Sequence, residues 1–292
     1  MADIAQAPAA PSGLRRWFGE AKSLGAAGTI GLVLVGLVLA GVLIGPLVWQ
    51  VDPAQQQLSQ AMRGMSAAHP LGTDHLGRDL LARAMHGGRL SLVMGFGSVF
   101  AAMAAGVAIG ATAAMRGGWI EAVLMRLIDS LLSIPGMVQA VILVAVIGRG
   151  IVPLIVALAI YSMPIFARVA HQTARQLMNS EYVLAAVAMG SGRLRLAFVH
   201  IVPNFAAPII TIASFRVGAN LLTGAALNFF GLGAQAPSVE WGLMIAEGQR
   251  YSWQAPMLTL VPGLALMITT LGLNLLGDGV RHRLDPKTRN SL

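Results

Sequence analysis

Six long apolar runs, separated by polar or turn-rich segments, set the plan of the chain. They fall at Ala27–Trp49, Leu90–Ala114, Leu127–Ile147, Ile151–Val169, Phe205–Leu227 and Met257–Leu276. Each is close to the ~20 residues an α-helix needs to cross the ~30 Å hydrocarbon layer. The runs lack residue-by-residue alternation, which favours helices over a β-barrel. The pattern predicts an all-α integral membrane protein with six transmembrane helices. Pro135-Gly136 is expected to bend the third span, and Pro153 and Pro164 lie in the fourth. The first run is longer than a signal-peptide core and reads as an uncleaved anchor.

The polar segments divide the chain further. Residues 1–26 form a tail, in which Leu14, Trp17, Phe18 and Ala21 make an apolar stripe beside Arg15, Arg16 and Lys22. That stripe suits either an interfacial helix or a plain basic flank. Residues 27–49 are the first span and 50–89 an outer loop. Residues 90–280 form a core with five spans and an inner loop at 172–204, and 281–292 close the chain.

The inner loop is the most informative stretch. Tyr182, Ala185, Ala186 and Met189 recur at i, i+3, i+4 and i+7, which gives one apolar face of a short helix. Ala185 and Ala186 leave room for a partner to approach. Gly190 stands where a helix C-terminus wants a residue tolerant of positive φ. A second helical run, Arg193–His200, is closed by Pro203, so two short helices joined at Gly190–Gly192 are expected.

Composition sharpens the class. The chain of 292 residues is 56% hydrophobic and 11% charged, well under the roughly one quarter charged of soluble domains. With the N-terminus inside, thirteen Lys/Arg fall on inner segments and six on outer loops, with Arg216 left within a span. That excess supports cytoplasmic termini and accounts for the net charge of +8 without nucleic acid. Lipid is the expected surrounding. There is no cysteine, and the fifteen methionines read as packing rather than as a metal path, so no metal site is assigned. The chain carries only two lysines, neither preceded by glycine, and so has no phosphate-cradling Gly-x4-Gly-Lys loop.

Arg216 costs roughly +2.5 to +3.5 kcal/mol at mid-membrane, against roughly −0.3 to −0.6 for each strongly apolar residue. The fifth span is therefore near break-even alone, and Arg216 must face protein or a wet cavity. It lines a translocation path, pairs with a carboxylate of a partner subunit, or belongs to a structural intramembrane ion pair.

Four strings carry a resemblance. Ala185, Ala186 and Gly190, followed by His200-Ile-Val-Pro203-Asn204, resemble the EAA loop of ABC importer permeases, with Leu184 where many relatives have the acidic residue and Glu181 three positions earlier. Leu71-Gly72-Thr73-Asp74, followed by Gly77-Arg78-Asp79, resembles the segment before the second helix in C-type permeases of the dipeptide, oligopeptide and nickel group. Leu227–Gly242, with Gly231 and Gly233, and the tail Gly277–Pro286 resemble two further motifs of that group. Relatives often have Glu and Ser where this chain has Gly224 and Asn228. Asp278 and Arg281 are spaced for a local ion pair.

The resemblance implies a type I ABC importer permease fold in a bacterial inner membrane. It implies a heterodimer with a B-type permease, two ABC ATPase subunits and a solute-binding protein. ATP and Mg are expected on the ATPases, with no cofactor on this chain. Glu181, Tyr182, Ala185, Ala186, Met189 and Gly190 are the expected coupling helix. Arg216, Asn220 and Asn228 are the expected path residues. Gly72, Asp74, Gly77, Arg78, Asp79, Pro203, Gly231 and Gly233 are expected to shape the loops. Cargo candidates are dipeptides, oligopeptides, glutathione and nickel chelates. A secondary transporter is the competing class; it predicts buried mid-membrane acids, whereas Asp129 and Asp278 lie toward span ends.

Overall fold

The computed structural model of the chain describes residues 24–192 and 195–284. The stripe at Leu14–Ala21, Arg193, and the last two residues of the Gly277–Pro286 motif lie outside them.

Helix α1 spans Gly25–Leu43, and a four-residue helix, Gly45–Val48, prolongs it. Helix α2 runs Leu80–Arg116, starting ten residues before the expected edge. At 37 residues it is about 55 Å long, well beyond the hydrocarbon thickness. It starts early because Asp79 caps it, its Oδ1 accepting from the Ala82 N–H at 2.7 Å. The charges of its first turns are also matched. Arg83 reaches Glu247 at 2.8 Å, and the Arg89 Nε donates to the Val42 carbonyl at 3.0 Å.

The third apolar run is two helices. Helix α3 is Gly118–Leu132 and α4 is Gly136–Ile147, bent 98° apart. Pro135 caps α4, and a proline restrains the residue before it from helical geometry. Gly136 packs against the Tyr161 ring, where a Cβ would lie 2.0 Å from a ring carbon. Ion pairs tie α3 to the span that follows α4, Ile151–Met178: Glu121 to His171 at 2.6 Å and Arg175 at 2.5 Å, and Asp129 to Arg168 at 2.5 Å.

Helix α5 covers Ile151–Met178 with Pro164 inside it, and α6 covers Glu181–Ala188. The described part of the second inner run is helical, a π-helical turn at Leu196–Ile201, and a 3-10 turn at Val202–Phe205 follows it. Pro203 and Pro208 each remove an N–H donor from the regular ladder. Helix α7 is Ala206–Phe229. After α7 a short helix α8, Trp241–Gly248, turns its Trp241, Gly242 and Met244 inward. Helix α9 is Met257–Leu284.

Five of these helices are long and apolar enough to cross a membrane, and six spans result if the bent α3–α4 pair counts as one. The described residues hold no named strand. The core is small and tightly set. A Cβ on Gly110 would lie 2.1 Å from the Ala167 carbonyl, and one on Gly31 2.4 Å from the Leu276 nitrogen. Only glycine lets α2 meet α5, and α1 meet α9, at that distance.

Candidate functional site

Helix α6 joins α5 to the turns that lead into α7. Its start is an extended Ser180 at ψ 145°, followed by Glu181, whose carboxylate complements the helix dipole. Its end is a Schellman closure. Gly190 adopts φ +83°, its N–H bonds the Val187 carbonyl at 2.9 Å, and the Ser191 N–H bonds that of Ala186 at 3.0 Å. A Cβ on Gly190 would meet nothing within 4 Å, so the left-handed backbone alone requires the glycine.

The expected face of α6 divides. Val183 and Ala186, three apart, are buried and hold the helix to the body. Tyr182, Ala185 and Met189 point out, joined by Leu184, Val187 and Ala188. Met189 is 81% and Leu184 56% exposed, so the outward surface is apolar except at Glu181. Leu184 thus adds apolar area where many relatives carry an acid. Tyr182 lies 6.3 Å from the His200 ring, linking α6 to the π-helical turn, whose Phe198 and Val199 are also exposed. The Asn204 Nδ2 bonds the His200 carbonyl at 2.6 Å, and Pro203 sits exposed beside it.

A polar track crosses the bundle at mid-depth. The Arg216 Nη2 donates to the Ser162 Oγ at 3.0 Å, and that hydroxyl donates to the Asn220 Oδ1 at 2.8 Å. The Asn220 Nδ2 donates to the Ser98 Oγ at 2.9 Å, which donates to the Gly95 carbonyl at 3.0 Å. The Arg216 guanidinium also lies over the Tyr161 ring, 4.6 Å from its centroid. Asn228 stands apart from this track. It is buried, donating to the Glu240 Oε2 at 2.7 Å and accepting the Ala234 N–H at 2.6 Å. At Gly233 a Cβ would lie 1.9 Å from the Asn228 Oδ1, so that glycine makes the turn possible, and Gly231 adopts φ +71°. Where relatives often have Glu, a Cβ on Gly224 would lie 2.5 Å from the Met94 Cε, so methionine fills that place here.

The end of the bundle opposite α6 carries two charged knots. In the first, Asp74 meets Arg78 at 2.6 Å and Arg83 at 3.4 Å, and Glu247 of α8 meets Arg78 at 3.0 Å and Arg83 at 2.8 Å. Asp79, besides capping α2, pairs with His69 at 2.9 Å and accepts from the Trp49 Nε1 at 3.1 Å. Gly72 and Gly77 adopt φ +84° and +74°, and a Cβ on Gly77 would lie 1.8 Å from the Gln57 carbonyl. The second knot is Glu240, fully buried, which accepts from Ser91 at 2.6 Å and from the Leu243 N–H at 2.9 Å. The spacing-matched Asp278 and Arg281 form no ion pair among the described residues.

Sequence reasoning did not single out Ser98, Ser162, Tyr161, Glu240 or Glu247. The serines are one-hydroxyl interruptions of apolar runs and carry little signal. Glu240 and Glu247, two carboxylates at either end of α8, were the readable clue.

A bundle of membrane-length helices, with an exposed apolar helix between two spans and a polar track at mid-depth, defines a multi-pass membrane transport subunit. The chain belongs to the family of binding-protein-dependent transport system inner membrane components, whose family model matches residues 106–290. It is 38% identical to the dipeptide transport system permease protein of Alkalihalophilus pseudofirmus, over 89% of this chain and 86% of that protein. It is 38% identical to the di/tripeptide transport system permease protein of Pseudomonas aeruginosa, over 96% of this chain and 94% of that protein. The glutathione transport system permease protein of Pectobacterium atrosepticum is 40% identical, over 78% of this chain and 75% of its own length. The fold is that of type I ABC importer permeases.

Proposed function

We propose that this chain is the C-type permease subunit of an ATP-driven importer of small peptides, dipeptides or glutathione among them. It forms half of the translocation pathway. A B-type permease supplies the other half, two ATPase subunits hold ATP and Mg, and a solute-binding protein delivers cargo. The Lys/Arg excess supports cytoplasmic termini and a cytoplasmic α6.

One observation carries the reading: the exposed apolar surface of α6. Closed by Gly190, that helix follows α5 closely and leads through the turns at 196–205 into α7. An apolar surface left open on a short helix marks an interaction site. ATPase closure displaces α6 as a rigid unit, and because α5 leads into it and the turns at 196–205 lead from it to α7, those spans tilt and change which side the path faces. Glu181, Tyr182, Ala185, Met189 and Gly190 make or shape that contact, and Ala186 anchors it from below. Arg216 and Asn220 belong to the path lining. Asn228 holds the turn after α7.

Co-purification tests the proposal. Extracted from its own membrane, the tagged chain brings down an ATPase with a phosphate-binding loop and a second permease. Recovery as a lone species that transports on an ion gradient would favour the secondary-transporter class instead.

A further inference from the structure

The Arg216 guanidinium has no counter-charge among the described residues. No carboxylate of the described residues lies within 4.0 Å of it. Its Nη2 is bonded to Ser162, and its Nε is shut away from solvent with no acceptor. A guanidinium carries five N–H donors, and Ser162 is the acceptor this one has among the described residues. Arg216 lies ten residues into α7, about 15 Å from the helix start and so near the middle of the membrane.

The groups that hold it share one property. In the track through Ser162, Asn220 and Ser98, every hydrogen points away from Arg216 and the last is accepted by the Gly95 carbonyl. The track therefore fixes the guanidinium without neutralising it, and the Tyr161 ring does the same from its face. The Tyr161 side chain makes no hydrogen bond among the described residues. On α4, one turn beyond the Gly136 that packs on this ring, Gln139 is 6% exposed and its Nε2 also lacks an acceptor. The Arg216 Nε on α7 and the Gln139 Nε2 on α4 are thus both donors without an acceptor among the described residues. A planar fork with free N–H groups matches a carboxylate. A permanently paired guanidinium would need no such neutral cradle.

Resting on the reading of the chain as a small-peptide permease, we propose that Arg216 receives the cargo's carboxylate at mid-membrane. The Ser162–Asn220–Ser98 track and Tyr161 hold the guanidinium ready for it. The group common to small peptides is then the one recognised, which leaves side-chain selection to other parts of the transporter.

The test uses the complete transporter in proteoliposomes, with alanyl-alanine and alanyl-alaninamide as probes. Uptake by Arg216→Gln and Arg216→Lys is expressed as a ratio to wild type for each probe, so that the binding protein's own preference cancels. The proposal expects Arg216→Gln to lose at least tenfold on alanyl-alanine and twofold or less on the amide, with Arg216→Lys in between. Equal ratios for the two probes would overturn it. So would loss of the partner permease from the purified Arg216→Gln complex, which would assign the guanidinium to a subunit carboxylate. If the wild type takes up neither probe although the four kinds of subunit assemble, the small-peptide reading fails and Arg216 is not at issue.

Discussion

Ser191 donates its backbone N–H to the carbonyl of Ala186 across 3.0 Å, and Gly190 between them holds φ +83°. That closure fixes where α6 stops and how the chain leaves it. A β-branched residue resists this backbone by about 1–2 kcal/mol. Gly190→Val is therefore expected to unwind the last turn and misplace Met189. ATP hydrolysis continues in the assembled transporter while peptides imported per ATP fall about tenfold. Gly190→Asn, which tolerates positive φ, keeps most of the coupling. Uptake and phosphate release measured on the same proteoliposomes check both variants.

Glu247 ties α8 to the start of α2 through Arg78 and Arg83. Arg83 is only 2% exposed, so Glu247→Leu leaves a buried cation without its nearest partner. Breaking a pair of this kind costs about 3–5 kcal/mol. The expected result is a markedly lower unfolding temperature in detergent. Adding Arg83→Met to Glu247→Leu recovers part of the loss, because the orphan charge is then gone. A double variant no more stable than Glu247→Leu would contradict this account of the knot.

At Gly110 a side chain would have to occupy the place of the Ala167 carbonyl. Gly110→Val is expected to force α2 from α5 and to give little folded protein, whereas Gly36→Ala in α1, with nothing within 4 Å and an ordinary helical backbone, changes the yield slightly. Fluorescence-detected size exclusion of tagged variants reads the difference.

The apolar runs were legible in the sequence because a lipid-spanning helix has no polar alternative for its side chains. The ends were less so. The first turns of α2 contain Arg83 and Arg89, which read as loop until Glu247 and the Val42 carbonyl are brought beside them. Helix α8 was hidden for a related reason: eight residues show too little periodicity, and its cap is a glutamate that becomes buried. The third run was legible as apolar and as bent, but not as two helices 98° apart, since the Tyr161 ring that Gly136 packs on comes from another span. In α6 the positions of Tyr182, Ala185, Ala186, Met189 and Gly190 were readable, yet periodicity could not tell the anchoring side from the open one. Val183 supplies that information, because with Ala186 it meets the body of the protein. The Arg216 track was half legible: the charge stood out, and its serine partners did not.

The central claim, that α6 is the surface through which the ATPase drives the spans, can be tested on a chain with no cysteine of its own. Met189→Cys, 81% exposed in the wild-type methionine, would carry a maleimide–diazirine probe, with buried Val183→Cys as the control. Photolysis of the assembled transporter is expected to link position 189 to an ATPase subunit, with a yield that changes when ATP is bound, and to leave position 183 unlinked. Labelling of Met189→Cys from the outside of intact cells by an impermeant maleimide, or a photoproduct free of ATPase, would contradict the account.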